Sequence, residues 1–556
     1  MMKKTLSSIL FLFLFIAACE QQPSAEIDEA AQLITEESLL AHIETLSSDE
    51  FEGRAPATRG EELTVQYLIN ELEEIGIEPG MQDDSFEQYF PLLGQVVDGQ
   101  TASITIKLYG NIAEELEYRA DFMGWPSNEA EEVDITDAEL VYVGYGIQAP
   151  EFDWDDYKDA DVEGKVLVYK NSDPSHDPGI FEGDSRLYYG RWSYKFEKAE
   201  EMGALGAIII HTDETAGYGW SVVEGSWGRE RFALTGENGD HGERPEFNTW
   251  LTEESSTSLF ESAGLDLHDM LDAAADRHFE PVVLEGVTLD VTLNASYSNM
   301  SSRNVIGKLE GNDRDLRDEY VIFSAHYDHL GIAAEPVDGD SIFNGAWDNA
   351  SGTSALLEIA KALKEVENDL RRSVLFMFVG AEEMGLLGSQ YWSQNPTVHP
   401  GTVSANINLD SMQIYGRTND MVLVGYNRNS ITDIFREHAE AEGRRIVPDP
   451  QPEQGFFYRS DHFSYARVGI PAIYPNPGRE FVEKPDDWAE VTDSVTAANY
   501  HALSDEINEY WDMAGMESDT RLILKASFDI INRDEMMEWV PGDEFEAIRS
   551  EMIEEL

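Results

Sequence analysis

Residues 373–383 have the sequence SVLFMFVGAEE, a run of small and apolar residues that ends in two adjacent glutamates. A continuous apolar run of this kind is typical of a strand buried on both faces of a parallel sheet. A shorter run, VIFSA at 321–325, and a helical pattern from Thr353 to Glu365 precede it. This alternation of strand and helix predicts an α/β protein, specifically a three-layer α/β/α sandwich with a mainly parallel mixed sheet.

Residue types that bind divalent metals follow several of these predicted strands. Ligands of open α/β sheets bind beyond the carboxyl ends of the strands. The predicted metal ligands are His326 in SAHYDHLG, Asp348 in WDNASG, Glu383 in GAEEMGLLGS, Asp410 in NLDSM and His462 in RSDHF. Glu382, beside one of them, can take the proton of an attacking water. The set favours a two-metal hydrolase, with a peptide bond as the expected target.

Two further side chains are placed by their spacing from His326. Asp328 lies two residues on, so its carboxylate is expected to point the same way and to accept the second ring N–H of His326. His329 is the alternative to His326 as a ligand. It lies three residues further on, so on an extended segment its side chain is expected to point to the opposite side. The adjacent carboxylates of Glu382 and Glu383 would be costly to bury unless cations neutralise them.

The composition limits the size of the domains and the kind of partner. A chain of 556 residues is too long for one ordinary core, which predicts two domains or three. With 38 basic and 109 acidic residues the formal net charge is −71, which excludes nucleic acid as a partner. A solvating surface of the kind found in salt-adapted proteins explains this acidity. Equal activity and melting temperature in low and in molar salt would contradict that explanation.

The N-terminus predicts export and a lipid anchor. The apolar run from Leu6 to Ala18 has the length of a signal peptide and is too short to span a bilayer. Cys19, the only cysteine, ends the sequence IAAC, which resembles a bacterial lipobox; the alternative is an ordinary signal peptide with a chance cysteine. The prediction is a signal peptide at 1–18 and a lipidated tether at 19–34. The protein would then lie on the periplasmic or outer-membrane side of a bacterial envelope, touching the membrane only through that lipid.

The remaining chain divides into three blocks. The first, 35–125, contains the loop SSDEFEGRAPATRG, and the third, 293–556, carries all the predicted ligands. The middle block, 126–292, has GYGI at 144–147 and GALGAIII at 203–210 and none of the ligands. The prediction is a discontinuous catalytic domain at 35–125 and 293–556, with a β-rich α+β domain inserted at 126–292.

The ligand motifs, in this order, resemble those of the M28 metallopeptidases, the co-catalytic zinc aminopeptidases and their relatives. The loop SSDEFEGRAPATRG is similar to the N-terminal segment of that family, so the resemblance covers the first and third blocks. The middle block resembles the protease-associated (PA) domain that many members carry as an insertion.

The resemblance implies a cofactor of two Zn²⁺ ions, for which Co²⁺ or Mn²⁺ could substitute. It divides the ligands into two triads that share Asp348 as a bridge. His326 and Asp410 complete the first triad, and Glu383 and His462 complete the second.

The resemblance also implies roles for residues that hold no metal. Glu382 becomes the general base and acid. Tyr458 becomes a hydrogen-bond donor to the tetrahedral intermediate. The peptide bond between Asp348 and Asn349 is expected to be cis.

The favoured function is that of an aminopeptidase that removes N-terminal residues from peptides. A carboxypeptidase of the same family is the first alternative; it needs basic residues for a terminal carboxylate, and Arg459 is one candidate. A glutaminyl cyclase shares the fold but works with one zinc. An inactive, lipid-anchored peptide-binding protein is the alternative from another class. The preferred terminal residue, the native metal and the oligomeric state stay open.

Overall fold

The computed structural model describes residues 25–174, 180–181, 183, 185–235, 244–337 and 339–556. The predicted signal peptide and Cys19 lie outside these residues, so export and the lipid anchor stay predictions. The tether predicted at 19–34 is wrong from residue 25 onward, because Ala25–Ala31 is a helix and Ile27, Ala31 and Ile34 are buried in the core. None of the helices in the described part is long and apolar enough to cross a membrane.

Strands and helices are numbered separately in chain order. The strands are β1 (Glu78–Pro79), β2 (Glu87–Val97), β3 (Ser103–Leu108), β4 (Asn111–Glu117), β5 (Phe122–Pro126), β6 (Glu132–Tyr142), β7 (Gln148–Ala149), β8 (Trp154–Asp155), β9 (Val166–Lys170), β10 (Gly206–Ile210), β11 (Arg231–Leu234), β12 (Phe247–Leu251), β13 (Val282–Leu309), β14 (Tyr320–His326), β15 (Gly331–Val337), β16 (Asp340–Phe343), β17 (Ser373–Val379), β18 (Val403–Asn408), β19 (Asp420–Val424), β20 (Arg445–Pro448) and β21 (Ala472–Asn476). The helices are α1 (Ala25–Ala31), α2 (Glu36–Leu46), α3 (Arg59–Ile75), α4 (Trp192–Glu201), α5 (Asp213–Ala216), α6 (Trp220–Trp227), α7 (Glu253–Ser262), α8 (Leu267–Ala273), α9 (Ser351–Glu365), α10 (Leu387–Gln394), α11 (Ile431–Ala441), α12 (His462–Ala466), α13 (Trp488–Asn499), α14 (Ala514–Asn532) and α15 (Glu546–Glu554).

The first sheet is mixed and mainly parallel, as the sequence predicts. Its strand order is β2–β13–β17–β14–β18–β21–β19–β20. The four central strands β17, β14, β18 and β21 run parallel. β13 runs antiparallel to β17, and β19 runs antiparallel to β21.

Both faces of the first sheet are apolar, because successive side chains of a strand point to opposite faces. On β17, Phe376 and Phe378 join the core shared with α1, α2, α3, α9, α11 and α14. Leu375 and Met377 join a second core, which contains side chains of α10 and α12. The helices therefore cover the sheet on both sides, which confirms the predicted α/β/α sandwich.

A second sheet forms the inserted body. Its order is β4–β3–β13–β6–β9–β10–β12–β5, and α4, α6 and α7 pack against it. Because β3 pairs with β13, the inserted body begins before Ser103 and not at residue 126 as expected. Only a short turn, residues 98–102, separates β2 from β3, so no linker in the sequence marks that boundary. The likeness of this body to a PA domain stays a prediction.

One strand belongs to both sheets. β13 has 28 residues; Val282–Asn294 pairs within the second sheet, and the part from Ala295 onward pairs within the first. A second connection is made by β11 of the insert, which pairs antiparallel with β2. The insert therefore extends and covers one edge of the first sheet.

A buried arginine ties the N-terminal loop to the segments that follow β14 and β16. The side chain of Arg54 is almost completely buried. It donates four hydrogen bonds to main-chain carbonyl oxygens, those of Leu46 (2.7 Å), Tyr327 (2.8 Å), Asn344 (2.6 Å) and Gly345 (2.8 Å). The loop SSDEFEGRAPATRG carries none of the predicted ligands. Through Arg54 it nevertheless holds the chain that follows the ligand His326 and the chain that precedes the ligand Asp348.

Replacing Arg54 by Met should lower the free energy of unfolding by about 3–5 kcal/mol, because four buried carbonyls lose their donor. Urea denaturation followed by circular dichroism measures the change. Arg59→Met is the matched control, since the exposed Arg59 guanidinium pairs at the surface with Glu52 and the Glu50 carbonyl; it should stay within about 0.5 kcal/mol of wild type. Equal effects of the two variants would contradict the role given to Arg54.

Candidate active site

A first triad of metal-binding groups lies at the carboxyl-terminal edge of the first sheet. His326 is the last residue of β14, Asp410 comes two residues after β18, and Asp348 lies in the turn before α9. The Nε2 atom of His326 is 3.2 Å from Asp348 Oδ1 and 3.4 Å from Asp410 Oδ1. All three side chains are buried.

The other oxygen of Asp348 takes part in a second triad. His501 Nε2 lies 3.0 Å from Asp348 Oδ2 and 3.0 Å from Glu383 Oε2. Glu383 follows β17, and His501 lies in the loop between α13 and α14. Asp348 therefore presents one carboxylate oxygen to each triad, as a bridging ligand must.

Neighbouring groups hold these side chains in place. His326 Nδ1 is 3.2 Å from the main-chain oxygen of Asp328, and an N–H at Nδ1 leaves Nε2 to face the carboxylates. The Asp328 carboxylate is 3.9 Å from that ring and instead accepts the backbone N–H groups of Glu382 (3.0 Å) and Glu383 (3.3 Å). His329 Nδ1 lies 2.7 Å from Glu383 Oε1. Asp328 thus positions the glutamate pair, which differs from the expected contact of its carboxylate with His326.

The backbone around Asp348 is held by two polar side chains. Asp505 accepts the N–H of Asp348 at 3.0 Å. Asn349 donates to the carbonyls of His326 (3.2 Å) and Leu409 (3.0 Å), so it joins the ends of β14 and β18. The peptide bond between Asp348 and Asn349 is cis, as expected.

The spacing of the donor atoms fits two metal ions. Tetrahedral zinc with bonds of about 2.0–2.1 Å places its ligand atoms about 3.3–3.4 Å apart. The separations between imidazole nitrogen and carboxylate oxygen in the two triads are 3.0–3.4 Å. Imidazole and carboxylate are also the donor types that zinc accepts. The residues that would hold the ions are His326, Asp348 and Asp410 in one site and His501, Asp348 and Glu383 in the other.

Residues 304–526, which contain both triads and Glu382, match the sequence profile of peptidase family M28. This segment belongs to peptidase family M28. Aminopeptidase YwaD of Bacillus subtilis is 30% identical over 236 residues, which cover 38% of this chain and 47% of that protein. Leupeptin-inactivating enzyme 1 of Streptomyces exfoliatus is 28% identical over 181 residues, which cover 32% and 40% of the two chains. The matched region thus spans less than half the length of each of these relatives.

Solved structures align over more of the chain. The aminopeptidase from Aneurinibacillus sp. strain AM-1 aligns with a TM-score of 0.49 at 18% identity, over 90% of this chain and 95% of that one. BSAP, a zinc aminopeptidase from Bacillus subtilis, aligns with a TM-score of 0.42 at 18% identity, over 89% and 95%. The fold assigned to the M28 segment rests on the strand order and layers described above.

His462, predicted as the fifth ligand of the M28 segment, lies outside both triads. Its buried ring packs edge-on against Phe457, with ring centroids 4.7 Å apart, and lies 5.6 Å from Tyr474. No carboxylate of the described residues comes within 4.0 Å of its nitrogens. Burial lowers the pKa of His462 to about 3, so the ring is neutral and packs as an aromatic group. The motif RSDHF contributes instead through Ser460, which donates to Asp410 Oδ2 at 2.7 Å.

His501 takes the place that was expected for His462. It lies in NYHALSDE, residues 499–506, after a helix and not after an apolar strand. A search for ligands at strand ends therefore passes over it. The available signal is its spacing from Asp505, an imidazole and a carboxylate in one short segment. That pairing resembles His326 and Asp328, where a carboxylate near the ligand supports the site.

Tyr458, the expected donor to the tetrahedral intermediate, is engaged elsewhere. Its hydroxyl donates to Glu544 Oε1 at 2.7 Å and accepts from Arg428 Nη1 at 3.3 Å. The Arg428 guanidinium also pairs with Asp543 at 2.8 Å. These contacts make Tyr458 part of a buried network that includes the segment before α15.

Glu382 lies beside the first triad. One of its oxygens, the His326 ring nitrogen and an Asp410 oxygen all lie within 4.8 Å of one another. Burial raises the pKa of the Glu382 carboxyl group well above its usual range; His326 opposes this shift, and Glu383 adds to it. A carboxyl group with a raised pKa next to the metal-binding groups is suited to accept and return a proton.

Replacing His501 by Ala should lower bound zinc from about two ions per chain to about one, because the second triad loses its imidazole ligand. Metal analysis by mass spectrometry after gel filtration gives the stoichiometry. The control is His462→Phe, which keeps an aromatic ring in the apolar site and should keep both ions. Loss of zinc from the His462 variant and not from the His501 variant would reverse the assignment.

Proposed function

We propose that the protein is a metal-dependent aminopeptidase that uses two zinc ions. The observation that carries this proposal is the pair of triads that share Asp348, with Glu382 beside them. The name of its sequence relative aminopeptidase YwaD supports the same activity. Co²⁺ or Mn²⁺ could replace zinc in such a donor set.

The chemistry divides between the metals and Glu382. When bound, two such cations lower the pKa of a water molecule and polarise a carbonyl group. Glu382 accepts the proton of the attacking water and returns it to the leaving amine. Asp328 accepts hydrogen bonds from the backbone N–H groups of Glu382 and Glu383. The general base Glu382 and the ligand Glu383 therefore keep fixed positions relative to each other.

A cavity of about 900 Å³ opens at the first triad and offers space for a substrate side chain. That volume is typical of pockets that enclose small ligands. His326, Asp348, Glu382 and Asp410 form its polar end. Its other lining residues include the apolar and aromatic side chains Val422, Val424, Phe456, Tyr474 and Phe481. These apolar side chains favour a substrate whose N-terminal residue has an apolar side chain.

Tyr500 is the better candidate for a donor to the tetrahedral intermediate. It lines the same cavity as His326 and Glu382, and its ring stacks on His501 with centroids 3.9 Å apart. The stacking places the phenol next to the second triad. Tyr458, by contrast, already donates to Glu544.

Replacing Glu382 by Gln should keep both metal ions but lower kcat by about 10²–10⁴-fold, because the amide cannot accept the proton. Leucine p-nitroanilide hydrolysis and metal analysis measure the two effects. Glu383→Gln is the matched control: it should lose metal, since Glu383 faces His501 at 3.0 Å. A Glu382→Gln variant with wild-type turnover would rule out the base. If metal-replete wild type cleaves no peptide, the inactive binding protein becomes the better interpretation.

Digestion of a peptide library should remove residues from the amino terminus, with Leu, Met and Phe released faster than Asp or Glu by about tenfold or more in kcat/KM. The reason is that the apolar side chains of the cavity, among them Val422, Val424 and Phe481, gain more from contact with an apolar residue than with a charged one. Mass spectrometry of the products identifies both the end attacked and the preferred residue. Release from the carboxyl terminus would favour the carboxypeptidase.

A further inference from the structure

Three arginines lie together where the inserted body meets the M28 segment. Arg459 lines the cavity at the first triad and a second one, of about 930 Å³, that contains Glu382, Glu383 and His501. Arg191, from the insert, lines the second cavity. Arg186, also from the insert, lies close to both. Its backbone N–H donates to the carbonyl of Pro452, and its side chain packs against Gly455. Both sides of the domain boundary thus contribute cations to one wall.

These arginines lack the anionic partners that most cations of this acidic chain have. The chain holds 109 acidic and 38 basic residues, yet no carboxylate of the described residues lies within 4.0 Å of the guanidinium groups of Arg186, Arg191 or Arg459. The Nε atoms of Arg186 and Arg459 are buried without a hydrogen-bond partner in the described part of the chain. Burial lowers the pKa of Arg191 to about 10, and repulsion from Arg459 and Arg186 adds to this effect.

Other arginines on the same cavity are already engaged. Arg467 pairs with both oxygens of Glu197, at 3.2 and 3.3 Å. Arg231 lies over the ring of Trp227, with its guanidinium carbon 3.5 Å from the ring centroid. Arg459 lies over the ring of Phe456, 5.4 Å from its centroid, but neither it nor Arg191 has a carboxylate partner among the described residues. Partly buried cations placed together without a counter-ion are costly, and a substrate anion would offset that cost.

We propose that Arg459 and Arg191 bind the C-terminal carboxylate of a dipeptide or other short peptide whose N-terminal residue occupies the metal site. The proposal rests on the proposed peptidase function. A guanidinium recognises a carboxylate through paired N–H donors, which fixes its position as well as its charge. Because the same cavities hold Glu382 and Arg459, a peptide attacked at the triads directs its leaving part toward this wall. The substrate class is then short peptides with a free carboxyl terminus.

Two pairs of substrates test the proposal. Wild type and the variants Arg459→Gln, Arg191→Gln and Arg467→Gln are assayed on Leu-Gly and on Leu-Gly amide, which differ only in the terminal charge. For the Arg459 and Arg191 variants, the ratio of kcat/KM for acid to amide should fall by about 10–100-fold, the value of a lost charged hydrogen bond. The Arg467 variant, the matched control from the same cavity, should keep the wild-type ratio. Leu-Asp amide and Leu-Asn amide form a second pair, which tests an acidic side chain as the source of the carboxylate.

The outcomes separate this proposal from the function on which it rests. Equal loss on acid and amide would mean that the arginines only hold the insert in place, and no loss on either substrate would mean that they do not contact substrate; either result overturns the proposal. A selective effect on Leu-Asp amide in place of Leu-Gly would overturn the assignment to the C-terminal carboxylate. If leucine p-nitroanilide is not cleaved by wild type, the peptidase function fails. Calorimetry of Leu-Gly and its amide with wild type and the Arg459→Gln variant then still tests carboxylate binding.

Discussion

The carboxylate of Asp348 is the group on which the arrangement of the site depends, because it faces an imidazole on each side. His326 meets one oxygen and His501 the other. These residues come from distant parts of the chain, so their meeting requires the ends of the central strands to lie at one edge of the sheet. The hydrogen bonds of Asn349 and Asp505 then hold the backbone of the bridging residue.

The sandwich and most of the site are predictable from local pattern. Residues 374–379 are apolar on both faces, a pattern that predicts a strand covered on both sides, and the structure confirms it by placing these side chains in two separate cores. His326, Glu383 and Asp410 were predictable because each follows such a strand. Asp348 was predictable from its motif, since small residues surround it and a helix follows.

The parts that escape prediction lack any periodic signal. His501 lies in a loop between helices, where neither hydrophobic alternation nor a strand end marks it. The prediction of His462 as a ligand rests on the local sequence RSDHF, and Ser460 of that sequence does contact the site through its hydrogen bond to Asp410. Asp328 was placed by the alternation of an extended chain, but β14 ends at His326. Beyond that point the chain turns, and the carbonyl of Asp328 approaches the ring more closely than its carboxylate does.

The continuity of β13 has a mechanical consequence. Inserted domains that hang on two flexible linkers can swing away from a cleft, but here one strand of 28 residues runs through both sheets, and β11 pairs with β2 as well. Separating the two bodies would require bending a hydrogen-bonded ladder. The shared strand therefore opposes a swing of the insert away from the first sheet, and ligands would enter through local movement of side chains and loops. A peptide that reaches from the triads to Arg459 and Arg191, as proposed above, would then be selected by its length.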